Sequence, residues 1–115
     1  VDELDKNLVA LLGEAGATGL AKGIYVVKKS DKFRKALEEE TSHWNFFRAK
    51  RRSWLEYPTY FLLLFLGVIV GLLGDRVIRK VINYVETKAI EFYVQNFPLT
   101  GEIMTIVEQE KHHFV

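Results

Sequence analysis

The sequence predicts an all-α membrane protein: one transmembrane helix flanked by amphipathic helices on both sides, with no independent globular core. Three observations carry this. Tyr57 through Gly74 is an uncharged run of eighteen residues centred on Phe61-Leu62-Leu63-Leu64-Phe65-Leu66, about 27 Å of helix, close to the thickness of a bilayer's hydrocarbon. Residues 75–97 repeat apolar side chains at the helical period up to Pro98. The chain has 115 residues, too few to bury an all-round apolar helix inside a large soluble core.

The expected segments are an aqueous arm at 1–56, the span at 57–74, an amphipathic helix at 75–97 and a tail at 98–115. In the arm, Leu4, Leu8, Leu11 and Leu12 follow helical spacing, so residues 2 to about 12 read as a short amphipathic helix with acids in its first turn. Gly13, Gly16, Gly19 and Gly23 then admit two readings: a flexible connector, favoured by glycine's entropic cost, or a helix with a small-residue stripe for close backbone contact. Ile24 to Val27 fits a strand or a buried helical turn. Ser30 or Asp31 caps a second helix with Phe33, Leu37, Trp44 and Phe47 on one side. Arg34 with Glu38 and Lys35 with Glu39 are spaced to pair, and the acidic run Glu38-Glu39-Glu40 reads as a solvated face.

At the start of the span, Trp54, Tyr57 and Tyr60 suit an aromatic belt, and Arg48, Lys50, Arg51 and Arg52 suit the membrane interface or lipid headgroups. Within it, Gly67 and Gly71 form G-x-x-x-G and Gly74 extends the same side, a groove for another helix. Beyond it, Ile78, Ile82, Val85, Ala89 and Phe92 lie on one line, with Arg76, Arg79, Lys80, Asn83, Glu86, Thr87 and Glu91 opposite. That apolar face is too wide to leave in water and is expected to dock on another subunit. The last stretch, around Ile103 to Val107, is expected to add at most a short helical turn.

Composition narrows the function. Sixteen basic against fifteen acidic residues argue against a nucleic-acid partner, and the absence of cysteine removes thiolate metal sites and disulfides. A P-loop and a dinucleotide-binding glycine motif are both missing. A metal site needs imidazoles and carboxylates that converge, as in H-E-x-x-H or E-x-x-H on facing helices. Neither arrangement is expected to occur here. His112 and His113, adjacent in the tail, are expected to be solvated, and no catalytic residue, cofactor or small-molecule substrate is expected, a structural phospholipid aside. Eleven basic residues precede the span and five follow it, which leans the N-terminus toward the matrix-like side. The chain begins with Val1, as after removal of a targeting peptide or in a fragment.

In general build, and in the Gly67–Gly71 pair, the chain resembles the small single-span accessory subunits of mitochondrial inner-membrane complexes, in the respiratory chain or the ATP synthase. The resemblance implies a non-catalytic role in assembly, stability or membrane-arm packing, with other subunits and lipids as partners. The alternative reading is a membrane-tethered adaptor that binds a soluble partner through the arm, around Trp44 and Phe47.

Overall fold

The computed structural model describes the backbone of residues 3–115 and side chains from Lys6 onward. Val1, Asp2 and the expectation for Leu4 lie outside the described side chains. Five helices follow in order: α1 (Glu3–Lys28), α2 (Asp31–Arg48), α3 (Glu56–Leu73), α4 (Asp75–Asn96) and α5 (Gly101–Lys111). The described residues contain no strand, so the all-helical expectation holds and Ile24 to Val27 is helix.

α1 is the first departure from expectation. The glycine-rich stretch is neither connector nor break but the middle of a continuous helix. Gly16, Gly19 and Gly23 are accounted for by α3: a Cβ on Gly19 would overlap the carbonyl of Tyr60, and one on Gly23 the carbonyl of Leu64. Reciprocally, a Cβ on Gly67 would overlap the carbonyl of Leu20, and one on Gly71 would lie 2.9 Å from Cβ of Val27. The sequence of contacts, Gly16 with Leu63, Gly19 with Tyr60 and Leu64, Gly23 with Gly67 and Val27 with Gly71, means that α1 and α3 run parallel, backbone against backbone. Such proximity recovers through dispersion what glycine costs in helix propensity.

The other helices build a bundle around α1. Ser30 caps α2, its side chain accepting from the Phe33 amide at 3.3 Å, and Lys29 turns the corner in the left-handed region at φ +47. α2 returns antiparallel to α1, bringing Phe33 beside Leu20 and Ile24 and Phe47 beside Ala10 and Leu11. Gly74, at φ +103, reverses the chain between α3 and α4 in a conformation that suits glycine. α4 then descends against α1 and α3, and α5 rises again against α4, so α1, α2, α4 and α5 form an up-down-down-up bundle. α3 is the long crossover on its outside.

Several expectations change here. Residues 75–97 do form a helix, stopped before Pro98 by extended backbone at Phe97. Its apolar line finds cover within the chain: Ile78 is buried, Ile82 and Val85 pack against Leu20 and Ile24, and Ala89 and Phe92 join the cluster around Trp44, Phe47 and Tyr93. That face is covered in part by its own chain, which has a core where none was expected. Gly67 and Gly71 are buried, against α1 of the same chain, whereas Gly74 is a hinge with nothing within 4 Å of its Cβ position. The tail contains three full turns of helix, with Ile106 and Val107 in the core.

α3 is long and apolar enough to cross a membrane by length and composition. Its cover comes chiefly from α1. Phe61, Leu62, Phe65, Leu66, Leu72 and Leu73 stand outward, from 41% exposed at Leu66 to 71% at Leu72. Where α2 gives way to α3, Glu56 is fully buried and accepts from Arg48 Nε (3.3 Å), Arg52 Nε (3.0 Å), Trp44 Nε1 (2.9 Å) and the Ser53 amide (2.9 Å). Two of the residues expected at the membrane interface thus also fasten the start of α3. Lys50 lies 5.0 Å from the Phe46 ring and Arg51 donates to the Arg52 carbonyl, while Trp54 and Tyr57 remain largely exposed.

A candidate two-metal centre inside the bundle

The polar residues of this bundle are inside it. Glu14 of α1, Glu40 and His43 of α2, Glu86 of α4 and Glu110 and His113 at the end of α5 are all buried. An unpaired acid in a core is costly, so four together, with two histidines, require an account. They fall into two groups whose donor atoms lie within 4.8 Å of one another: Glu14, Glu40, His43 and Glu110, and Glu40, Glu86, Glu110 and His113. Glu40 and Glu110 belong to both.

Helical spacing explains how the chain delivers these groups. E-x-x-H places a carboxylate and an imidazole on one face, three residues apart, and it occurs twice, as Glu40-Thr41-Ser42-His43 and Glu110-Lys111-His112-His113. The expectation that no E-x-x-H arrangement occurs is thereby overturned, and the expected solvated tail is corrected with it: His113 is 6% exposed, although His112 is indeed exposed. The acidic run is corrected too. Arg34 pairs with Glu38 at 2.7 Å as expected, but Glu39 bonds His113 instead of pairing with Lys35, and Glu40 points into the cluster. On α4, Glu86 is buried with Ile78 and Tyr93, so the inward stripe is turned slightly from the one through Val85 and Phe92.

Hydrogen bonds orient the donors. Tyr93 Oη donates to Glu14 at 2.5 Å. His43 Nδ1 faces Glu40 (2.9 Å), Glu110 (3.1 Å) and Glu14 (3.5 Å), while its Nε2 meets Gln109 Oε1 at 2.6 Å. His113 Nδ1 faces Glu86 (3.5 Å) and Glu110 (3.7 Å), while its Nε2 meets Glu39 Oε1 at 2.7 Å. Each ring thus turns Nδ1 inward and is anchored from behind at Nε2. Around the centre, Glu86 Oε2, Glu110 Oε1 and His113 Nδ1 are buried without any hydrogen-bond partner.

The electrostatics reflect this crowding. Burial, reinforced by Glu14, raises the Glu40 carboxyl to about 7, and burial chiefly raises Glu86 to about 8. Glu110 is pushed well above the carboxylate range by burial and by Glu40. Burial opposes charge on His43, but Glu110, Glu14 and Glu40 outweigh it and raise the imidazole; at His113 burial is likewise outweighed, by Glu86, Glu110 and Glu39. Without a metal, Glu40, Glu86 and Glu110 can remain there by holding protons. With one, the protons would leave.

The donor set fits two divalent cations. Four carboxylates balance their four positive charges and two neutral imidazoles complete the set. Mixed carboxylate and imidazole donors suit iron or manganese. Beside the centre, a cavity of about 100 Å³ lies between α1, α2 and α4, walled by Leu20, Ile24, Phe33, Ile82 and Val85 and reaching Glu40, Glu86 and His113. Neither a protein-family model, a curated protein sequence nor a solved structure matches this chain.

Proposed function

We propose that this chain is a two-metal carboxylate oxidoreductase working at a membrane surface, with iron as its metal. The observation that carries the reading is the convergence of six buried donors from four helices into two groups sharing Glu40 and Glu110, with three inward atoms that make no hydrogen bond. One Glu from each of two helices and E-x-x-H from each of the other two is the pattern of ferritin-like di-iron and di-manganese carboxylate proteins, whose bundles also include one long crossover. Glu14 and His43 would hold one ion, Glu86 and His113 the other, and Glu40 and Glu110 would bridge. When bound, an iron pair supplies the redox chemistry of dioxygen, which no side chain of this protein supports alone. The chain's own residues hold the site rigid: Tyr93 fixes Glu14, Gln109 fixes His43 and Glu39 fixes His113. The largely apolar cavity beside the centre suits an apolar substrate.

The membrane expectation continues as part of this proposal in altered form. α3 is packed closely along α1, so crossing a bilayer would take α1 with it, including Lys22 and the cluster acid Glu14, at prohibitive cost. Lying in the plane of one leaflet, α3 would bury its outward Phe and Leu side chains and leave the bundle in water. Trp54 and Tyr57 suit the headgroup level there. The accessory-subunit role keeps a second reading through the same face, which would equally pack on a larger membrane complex. Mild-detergent native electrophoresis with the chain in one stoichiometric high-mass band would favour that role.

The test is metal loading of the full chain in detergent. After anaerobic Fe(II) addition and desalting, elemental analysis should find two irons per chain, one for each donor group, and admission of oxygen should oxidise them with measurable oxygen uptake. Glu110→Ala, which removes a carboxylate common to both groups, should abolish retention. Substoichiometric iron that is indifferent to Glu110 would sink the reading.

A further inference from the structure

The two halves of the centre are built alike except at one atom each. In α2 the residue before the E-x-x-H glutamate is Glu39; in α5 it is Gln109. Both reach across to the histidine of the opposite helix, Glu39 to His113 Nε2 at 2.7 Å and Gln109 to His43 Nε2 at 2.6 Å. The geometry is thus nearly symmetric while the chemistry is not. A carboxylate accepting from imidazole N–H makes a charge-assisted bond, draws the ring toward imidazolate and strengthens its other nitrogen as a donor; an amide carbonyl only orients the ring. The cavity repeats the asymmetry, since Glu39, Glu86 and His113 line it and His43, Gln109 and Glu14 do not.

We propose that the two metal positions are inequivalent by construction: Glu39 is a positioning residue that makes the Glu86–His113 half the tighter-binding and more electron-rich one, and this is the half the cavity approaches. The inference rests on the two-metal reading above. Partners of this kind change metal affinity by roughly ten- to a hundredfold when removed, so a difference between carboxylate and amide of about tenfold is expected between the halves.

Manganese(II) alone serves as the probe, titrated into the metal-free full chain in detergent and followed by electron paramagnetic resonance, which separates a lone ion from an exchange-coupled pair. In the wild type the first equivalent should give the lone-ion signal and the second should convert it to the pair. Glu39→Gln should bring the two steps together by weakening one, so that pairs form from the first additions. Gln109→Glu should bring them together by strengthening the other. The double exchange Glu39→Gln, Gln109→Glu should restore the separation with the halves reversed, an outcome that a general loosening of the bundle would not produce. Half-site variants assign the steps: Glu14→Ala should leave the tighter site and Glu86→Ala the weaker one, with Glu39→Gln weakening only the former. Two indistinguishable steps in the wild type, or a Glu39→Gln that leaves the separation intact, overturns the inequivalence alone. A wild-type chain that binds no manganese and no iron overturns the two-metal reading as well.

Discussion

The outer face of α3 and the centre of the bundle are opposites, and they are inverted from what composition suggests. The most apolar helix presents Phe61, Leu62, Phe65 and Leu72 outward, while Glu14, Glu40, Glu86 and Glu110 are inside. Neither arrangement is stable in water by itself: an exposed apolar strip seeks lipid or protein, and buried acids seek protons or metal. α1 stands between the two. One side gives its glycines to α3 and another gives Glu14 to the cluster, so the exposed apolar surface and the buried donors are joined through a single helix.

The most damaging way to break that join is to widen it. A side chain at Gly23 would run into the Leu64 carbonyl and the Val68 and Gly67 backbone, which cannot give way as a flexible side chain would. Gly23→Leu should therefore cost at least about 3 kcal/mol, a large fraction of the stability a domain this size has. Loss of a cooperative thermal transition by circular dichroism, with loss of metal retention, is the expected result. A variant that melts like the wild type would mean that α1 and α3 are not seated backbone to backbone.

The comparison is sharpened by changing only the outer face. Phe61 and Phe65 are 60% and 63% exposed and touch little of the bundle. Phe61→Ser with Phe65→Ser should leave the melting profile and metal content near wild type. Each phenylalanine transferred to lipid contributes about 1.5–3 kcal/mol, so vesicle partitioning in flotation assays should fall by at least about a hundredfold. Unchanged partitioning would remove α3 as the membrane contact.

How much of this was legible beforehand depends on whether a residue's role is local. The cap at Ser30, the period of 75–97 and the stop at Pro98 act within one helix, and each appears in the structure where the chain places it. The helical course through Gly13 to Gly23 was not legible, because glycine's local preference opposes helix and only α3, forty residues later, reverses the balance. The centre was half legible. Two E-x-x-H runs stand in the sequence, but each was absorbed by a plausible surface reading, an acidic run in one case and a polar tail in the other. Glu14 and Glu86 have no motif at all; their sole signal is an acid in phase with buried neighbours, Leu11, Ala15 and Thr18 around one, Ile78 and Tyr93 around the other. Apolar periodicity finds the side of a helix that faces inward, but it scores an inward acid as an error in phase.

The centre can be perturbed by pH without any substitution. Glu40 rises from an ordinary 4.5 to about 7 and Glu86 to about 8 in the folded chain, so between those values the native state holds protons that the unfolded chain has released. For such groups the native advantage is complete below about pH 4.5 and is lost as pH rises through about 8; the raised His43 and His113 act in the same direction above their ordinary value. The metal-free protein should therefore melt lower at about pH 8.5 than at about pH 5. Manganese replaces the protons, so the stabilisation it confers should be larger at the higher pH. Calorimetry at both pH values, with and without the ion, checks the sign; a metal-free protein that gains stability toward pH 8.5 would mean that the acids are not held neutral.

The smallest effect distinguishes a glycine at the α1–α3 seam from one outside it. Gly13 is exposed, helical and has nothing within 4 Å of its Cβ position, in contrast to Gly19 six residues on, where a Cβ would overlap the Tyr60 carbonyl. With no contact to lose, alanine there only limits the unfolded chain and favours helix, so Gly13→Ala should stabilise by about 0.5–1 kcal/mol. Gly19→Ala should destabilise by more than that gain, because α3 must shift to admit one methyl group. Denaturant titrations of the two variants, made identically, measure the sign directly. Opposite signs locate the seam on α1 to one face of the helix, whereas stabilisation by both would return the glycine-rich stretch to the role of a connector.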